Sequence, residues 1–184
     1  MVSAELIAAA QNGDRDAMVS ILRTLENDLY KTALYMLGNE HDARDATQDT
    51  LLRICRNIHK YETKASFRTW AQTIVTNLCI DHLRRRKEET SLDGSELVVR
   101  APEQQQVERQ VLRQQMERDV SAAIAKLDEP YRSVIVLRYV NQLSYEEICE
   151  TLGLPIGTVK SHLFRAKTRL QRLLRDYEKG GGYE

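Results

Sequence analysis

Leu143-Ser144-Tyr145-Glu146-Glu147-Ile148-Cys149-Glu150-Thr151-Leu152-Gly153-Leu154-Pro155-Ile156-Gly157-Thr158-Val159-Lys160-Ser161-His162-Leu163-Phe164-Arg165 is the stretch that decides the fold. Ser144 and Glu147 have the spacing of a capping box: the serine caps the new helix and the glutamate reaches back from its third position. Leu143 and Ile148 stand where a hydrophobic staple puts its two apolar residues. Gly153 ends this short helix, Leu154-Pro155 restarts the chain, and Gly157-Thr158 begins a second helix. Its apolar residues, Ile156, Val159, Leu163, Ala166, Leu170 and Leu173, recur every third or fourth position and predict one buried stripe. At about 100° per residue the opposite face carries Ser161, Arg165, Thr168 and Arg172, flanked by Lys160, Phe164, Arg169 and Arg175. Between Gly157 and Arg175 there are six Lys/Arg and no Asp/Glu. A basic helix that merely packs in a bundle explains the stripe. It does not explain why cap, turn and uniformly basic outer face coincide. That coincidence points to a helix-turn-helix whose second helix enters a DNA major groove. There an Arg bonds a guanine edge twice and a Lys neutralises phosphate.

The first half offers a second basic surface. A helix predicted from about Phe67 to Lys87 ends in Arg84-Arg85-Arg86-Lys87. Thr73, Asn77 and Arg84 fall within about 40° of one another on its wheel, apart from an apolar stripe of Phe67, Ala71, Ile74 and Leu78. Asn can bond a base edge and Arg a phosphate, so this face can follow a strand. Phe67 and Trp70 offer rings for stacking, although a lone Trp at helical spacing is more often core. The arginine run equally suits the negative end of a helix dipole. Before it, a helix from Asp42 to about Ile58 bears Asp42, Asp45 and Asp49, with Gln48 between. That row is either a solvated face or a docking face for a basic protein, and no further ligands make it a metal site. Lys60 to Ser66 is a polar connector.

The rest supplies the frame. Ala17, Ile21, Leu25, Leu29, Ala33 and Leu37 keep helical spacing after a pause at Asn12-Gly13-Asp14, and Gly38-Asn39 ends the run. Residues 88–101 lose periodicity and read as an interdomain linker. Pro102 can open a helix reaching Leu127, Pro130 starts another running to Tyr139, and Gly180-Gly181-Gly182 predicts a mobile tail.

With 184 residues the chain has room for two small domains. Scarce Gly and Pro argue against an all-β fold, and no apolar run approaches the roughly 20 residues of a membrane span. The N-terminus lacks the basic start and apolar run of a signal peptide, so the expected compartment is the cytoplasm. The zero net charge conceals alternation: residues 1–50, 51–90, 91–156 and 157–184 carry −5, +5, −4 and +4. Such segregation suits surfaces that meet different partners, and is also common among solvated helices. Cys55, Cys79 and Cys149 sit beside apolar residues without ligand spacing and read as structural thiols. Neither they nor the four histidines form a metal motif, and no phosphate-binding or nucleophile motif is present. No catalytic residue, cofactor, metal or small-molecule substrate is expected. The expected fold is all-α: two small helical domains joined by a flexible linker, the second containing the helix-turn-helix.

Three blocks carry a family resemblance over nearly the whole chain. They are Asp42-Ala43-Arg44-Asp45-Ala46-Thr47-Gln48-Asp49-Thr50-Leu51-Leu52-Arg53; Phe67-Arg68-Thr69-Trp70 with Asn77-Leu78-Cys79-Ile80-Asp81-His82-Leu83-Arg84; and Leu143–Ile148 with Leu154–Ser161. In this order they resemble a bacterial RNA polymerase sigma factor of the extracytoplasmic-function (ECF) class, the smallest members of the housekeeping sigma family. The resemblance implies sigma domain two over 1–87, a linker over 88–101, sigma domain four over 102–178 and a tail over 179–184. It implies that Asp42, Asp45, Gln48, Asp49 and Arg53 bind core RNA polymerase at the β′ clamp, with the β subunit also contacted. Lys64, Ser66, Phe67, Asn77, Arg84 and Arg85 would bind the −10 element, where a base is extruded into a pocket on the connector. Lys160, Ser161, Phe164, Arg165 and Arg169 would bind the −35 element. An anti-sigma factor is an implied partner. Two rivals remain: a transcription activator in which only the helix-turn-helix works, and a helical adaptor with no nucleic-acid role.

Overall fold

The computed structural model describes residues 2–93 and 118–180. All regular elements among them are helical, as expected. Helix α1 (Ala4–Gln11) ends near Gly13, whose φ of 93° turns the chain into Asp14. The Asp14 carboxylate accepts from the Asp16 and Ala17 amides at 2.9 and 3.0 Å and starts α2 (Arg15–Leu37). Gly38, at φ 77°, closes α2 in the left-handed conformation. Asn39 then caps α3 (Glu40–Asn57), accepting from the Asp42 amide at 2.8 Å. This cap moves the start of α3 ahead of the predicted Asp42. A 3-10 turn (Ile58–Lys60) leads into the connector.

Ser66 Oγ accepts from the Thr69 amide at 3.0 Å and caps α4 (Phe67–Asp93). Residues 88–93, predicted as the start of the linker, are thus the last turns of α4. The remaining linker, the helix predicted to open at Pro102 as far as 117, and the tail beyond Gly180 lie outside the described residues. The next helix, α5, is described over 118–125. Pro130 sits in the first turn of α6 (Glu129–Ile135), where a missing N–H costs nothing. The predicted regular helix to Tyr139 widens instead into a π-helical turn over Val136–Val140, with the Asn141 amide on the Val136 carbonyl at 3.1 Å. Helices α7 (Tyr145–Leu152) and α8 (Ile156–Gly180) complete the chain.

Helices α1 to α4 pack around Ile21, Leu29, Met36, Ile54 and Val75. Helices α6 to α8 pack around Val134, Leu137, Leu143, Ile148 and Val159. The two groups join in one continuous apolar cluster. Buried polar residues stitch them further: Thr32 Oγ1 lies 2.9 Å from Gln72 Oε1 and accepts from Asn141 Nδ2 at 2.7 Å.

Candidate polymerase and nucleic-acid interfaces

The helix-turn-helix forms as its sequence predicts. Ser144 Oγ accepts from the Glu147 amide at 3.1 Å, and Glu147 Oε2 accepts from the Ser144 amide at 2.8 Å. Leu143 and Ile148 are both buried beside this box. Gly153, at φ 64°, makes the turn. Val159, Leu163 and Ala166 bury the inner stripe of α8. Ile156 departs from it: at 45 % exposure it lies at the mouth of the helix, on the outside.

On the outer face Lys160, Ser161, Phe164 and Arg165 are all exposed, and Phe164 shows 73 % of its surface. Exposing so large an apolar ring costs burial energy and suits a contact with a partner or a thymine methyl. Lys160 stands 5.9 Å from the Tyr145 ring centre, and Arg138 stands 5.2 Å from the same ring. Tyr145 thereby spreads cationic groups across the groove-facing side of α7 and α8. Arg169, predicted with these residues, is turned elsewhere. It pairs with Asp128 and lies 4.3 Å over the Tyr131 ring, so its guanidinium binds α8 to the start of α6.

The −10 set divides similarly. Asn77, Arg84 and Arg85 are exposed on α4, and Lys64 is exposed on the connector with Glu62 2.5 Å away. Phe67 is not available to a base: it is 5 % exposed and meets Tyr61 edge-on at 4.9 Å. Trp70 leans on both rings, at 5.4 Å from Tyr61 and 5.3 Å from Phe67, and is half-buried. These rings make the floor of the connector rather than a stacking surface. Ser66 spends its hydroxyl on the α4 cap and on Thr69 Oγ1 at 2.7 Å.

Gln11 and Tyr61 were not foreseen. Gln11 Nε2 donates to the carbonyls of Ile58 at 2.9 Å and Tyr61 at 3.1 Å, while the Tyr61 hydroxyl donates to the Ala65 carbonyl at 2.8 Å. One side chain from α1 therefore pins the entrance of the connector, and one ring closes it. No local pattern could reveal Gln11, whose partners lie far along the chain.

On α3, Asp45, Gln48, Asp49 and Arg53 are exposed together. Leu52 joins them at 52 % exposure, an unforeseen apolar centre in a charged rim. Asp42 turns away from this face. Its carboxylate lies 2.5 Å from Asn39 Nδ2, 3.3 Å from His82 Nε2 and 3.9 Å from Arg86 Nη1, which fastens the start of α3 to α4. The sequence reading of Asp42 as a docking residue thus meets a side chain engaged internally.

Nothing in these surfaces is arranged for bond chemistry. No group of three or more His, Cys, Asp or Glu suited to a metal occurs among the described residues. Burial pushes the Cys79 thiol up to about 12, far from a reactive thiolate. No described helix is long and apolar enough to cross a membrane.

Comparison with known proteins follows this geometry. Residues 21–89 match the family Sigma-70 region 2, and residues 117–170 match Sigma-70, region 4. The chain is 34 % identical to the ECF RNA polymerase sigma factor SigW of Bacillus subtilis, covering 96 % of this chain and 98 % of that protein. It is 32 % identical to the ECF sigma factor SigM of Mycobacterium tuberculosis strain H37Rv, covering 93 % and 84 %. Among solved structures it resembles the sigma factor RpoE of Bartonella quintana in complex with the anti-sigma factor NepR. That likeness has a TM-score of 0.69 and 26 % identity over 85 % of this chain and 95 % of that one. The fold is also that of CnrH in complex with the cytosolic domain of CnrY, with a TM-score of 0.71 and 23 % identity over 96 % and 99 %. ECF factors are alternative factors, so the term housekeeping does not apply to this chain. With both regions present in order and full-length relatives above 30 % identity, the chain belongs to the ECF sigma factors of the sigma-70 family.

Proposed function

We propose that this protein directs core RNA polymerase to promoters, using α3 to hold the polymerase and α4 and α8 to read DNA. The observation that carries this reading is the pairing of regions 2 and 4 on one chain with an exposed cationic face on α8. The α3 face of Asp45, Gln48, Asp49, Leu52 and Arg53 docks on the β′ clamp, and the second half meets the β subunit. Asp42 supports that face by fixing α3 on α4. At the −10 element, Asn77 reads a base, Lys64, Arg84 and Arg85 hold phosphates, and the connector floored by Tyr61, Phe67 and Trp70 receives an extruded base. Extrusion costs a few kcal/mol, offset by contacts to the released strand. At the −35 element, Lys160, Ser161, Phe164 and Arg165 enter the major groove. The two reading units span roughly the N-terminal half through α4 and the C-terminal half from α5. The protein makes and breaks no covalent bond; it acts by binding, in the cytoplasm. An anti-sigma factor holds it until induction, a role supported by the RpoE–NepR likeness.

The test is copurification with core RNA polymerase together with promoter-specific run-off transcription. Success in both is expected. Specific binding of the free chain to DNA without any gain from core polymerase would favour the activator reading, and failure of both assays would sink the proposal.

A further inference from the structure

Four contacts join the helix-turn-helix half to α2 and α4. The Thr69 hydroxyl donates to Glu147 Oε1 at 2.8 Å. Asn141 Nδ2 donates to Thr32 Oγ1 at 2.7 Å, and Arg132 Nη1 to the Met36 carbonyl at 2.6 Å. Arg84 lies 3.8 Å from Glu129. The seam is polar where it is most buried: Thr32, Thr69, Gln72 and Asn141 are each 2 % exposed or less. Asn141 Oδ1 is buried there without a partner among the described residues. Buried, imperfectly satisfied polar groups are costly in a permanent core and are typical of surfaces that separate.

The seam also conflicts with promoter reading. Elements about 25 base pairs apart are separated by about 85 Å along B-DNA. Through the Thr69–Glu147 contact, the path from Asn77 to Lys160 is shorter than about 70 Å even with the intervening chain beyond Glu147 fully extended. The structure cannot hold this seam and read both elements at once. Furthermore, the seam engages groups that DNA would use: Thr69 and, through it, the Ser66 hydroxyl are bound to a carboxylate, and Arg84 faces another.

We propose that the arrangement is a closed resting state, in which the seam formed by Glu147, Asn141 and Arg132 on α4 and α2 keeps the free protein from its promoter until core polymerase parts the halves. This rests on the reading of α4 and α8 as the two promoter-reading helices. The closed state lowers affinity for DNA by the population that must open before binding. Carboxylates standing where phosphates would lie add to that penalty.

The test uses the full chain and a Thr32→Val/Asn141→Ala variant. Both changes are neutral in charge, so they do not alter electrostatic attraction to DNA, and neither residue is placed at a DNA or polymerase contact. Thr32→Val alone, nearly isosteric, repeats the test should the double variant fail to fold. Three quantities are compared: the small-angle scattering profile of the free chain, its affinity for a promoter duplex carrying both elements, and run-off transcription with core polymerase. The free wild type should scatter as one compact particle, with a radius of gyration near the roughly 16 Å of a globular chain this long. The variant should be more extended and bind the duplex about tenfold more tightly, with run-off transcription unchanged. An extended wild type would overturn the proposal. So would a variant that stays compact, or one that opens without binding more tightly. Failure of wild-type run-off transcription would instead sink the promoter-reading assignment itself, whatever the scattering profile.

Discussion

Arg165 and Arg169 stand one turn apart on α8 and have different surroundings. Arg165 is exposed on the outer face, whereas Arg169 is paired with Asp128 and stacked on Tyr131. Arg165→Ala should therefore weaken transcription through one −35 base pair, by about 1–3 kcal/mol, measured by run-off from a set of single-base promoter variants. Equal loss on every template would make it a phosphate contact instead. Arg169→Ala should lower the thermal midpoint and leave the base preference as it was. Glu147 gives a pH prediction. Burial raises its carboxyl, but the Ser144 amide, the hydroxyls of Thr69 and Ser144 and the charge of Arg68 outweigh burial and hold it below the ordinary value of 4.5. A carboxyl depressed in the folded state adds stability above its unfolded pKa and loses it as pH falls through the folded value. Melting curves from about pH 6 to about pH 3 should show a steeper acid loss for the wild type than for Glu147→Gln. Parallel curves would mean that Glu147 is no better held in the folded state than in the unfolded chain.

Among the elements, the helix-turn-helix was the most legible because its instructions are local. The capping box, the staple and Gly153 act over three to five residues, a range that sequence spacing can express. Gly153 holds φ 64° with nothing within 4 Å of an added Cβ, so Gly153→Ala suffers from backbone strain alone. It should cost about 1 kcal/mol in denaturant unfolding, without loss of the fold. The Gly38-Asn39 break was equally visible. What spacing does not express is which exposed side of a helix is truly open. Asp42, Asp45 and Asp49 form one row in sequence, yet His82 and Arg86 draw Asp42 inward from a helix some forty residues away. Phe67 was misread for the same reason: its partner Tyr61 lies across the connector, not on its own helix. Leu52, overlooked among charged neighbours, is the element's best candidate for a buried anchor. Leu52→Ala should weaken binding to core polymerase by about 1–2 kcal/mol with unchanged helical content. Unchanged affinity in a titration of labelled chain against core polymerase would move the interface off this face.

At the scale of the whole molecule, Arg132 joins three helix ends that no sequence pattern connects. From the first turn of α6 its guanidinium donates to the Met36 carbonyl near the end of α2 at 2.6 Å. It also donates to the Leu127 carbonyl at 2.9 and 3.2 Å, and to the Ala125 carbonyl at the end of α5. Burial, followed by the charge of Arg86, lowers its pKa to about 10, against the opposite pull of Asp128 and Glu129. It therefore remains a cation at neutral pH. Helix C-termini carry unpaired carbonyls and partial negative charge, so one buried cation serves them together and offsets part of its own desolvation. Arg132→Met keeps much of the apolar stem but leaves these carbonyls without the donor. Each orphaned buried carbonyl costs on the order of 1 kcal/mol or more, so the substitution should remove about 3 kcal/mol from the unfolding free energy in urea. Arg132→Lys restores the charge without the planar fork, and one ammonium on a flexible stem cannot reproduce the geometry. It should recover less than half of the loss. If lysine restored full stability, the charge alone would suffice, and the fork that spans the two halves would have no energetic role.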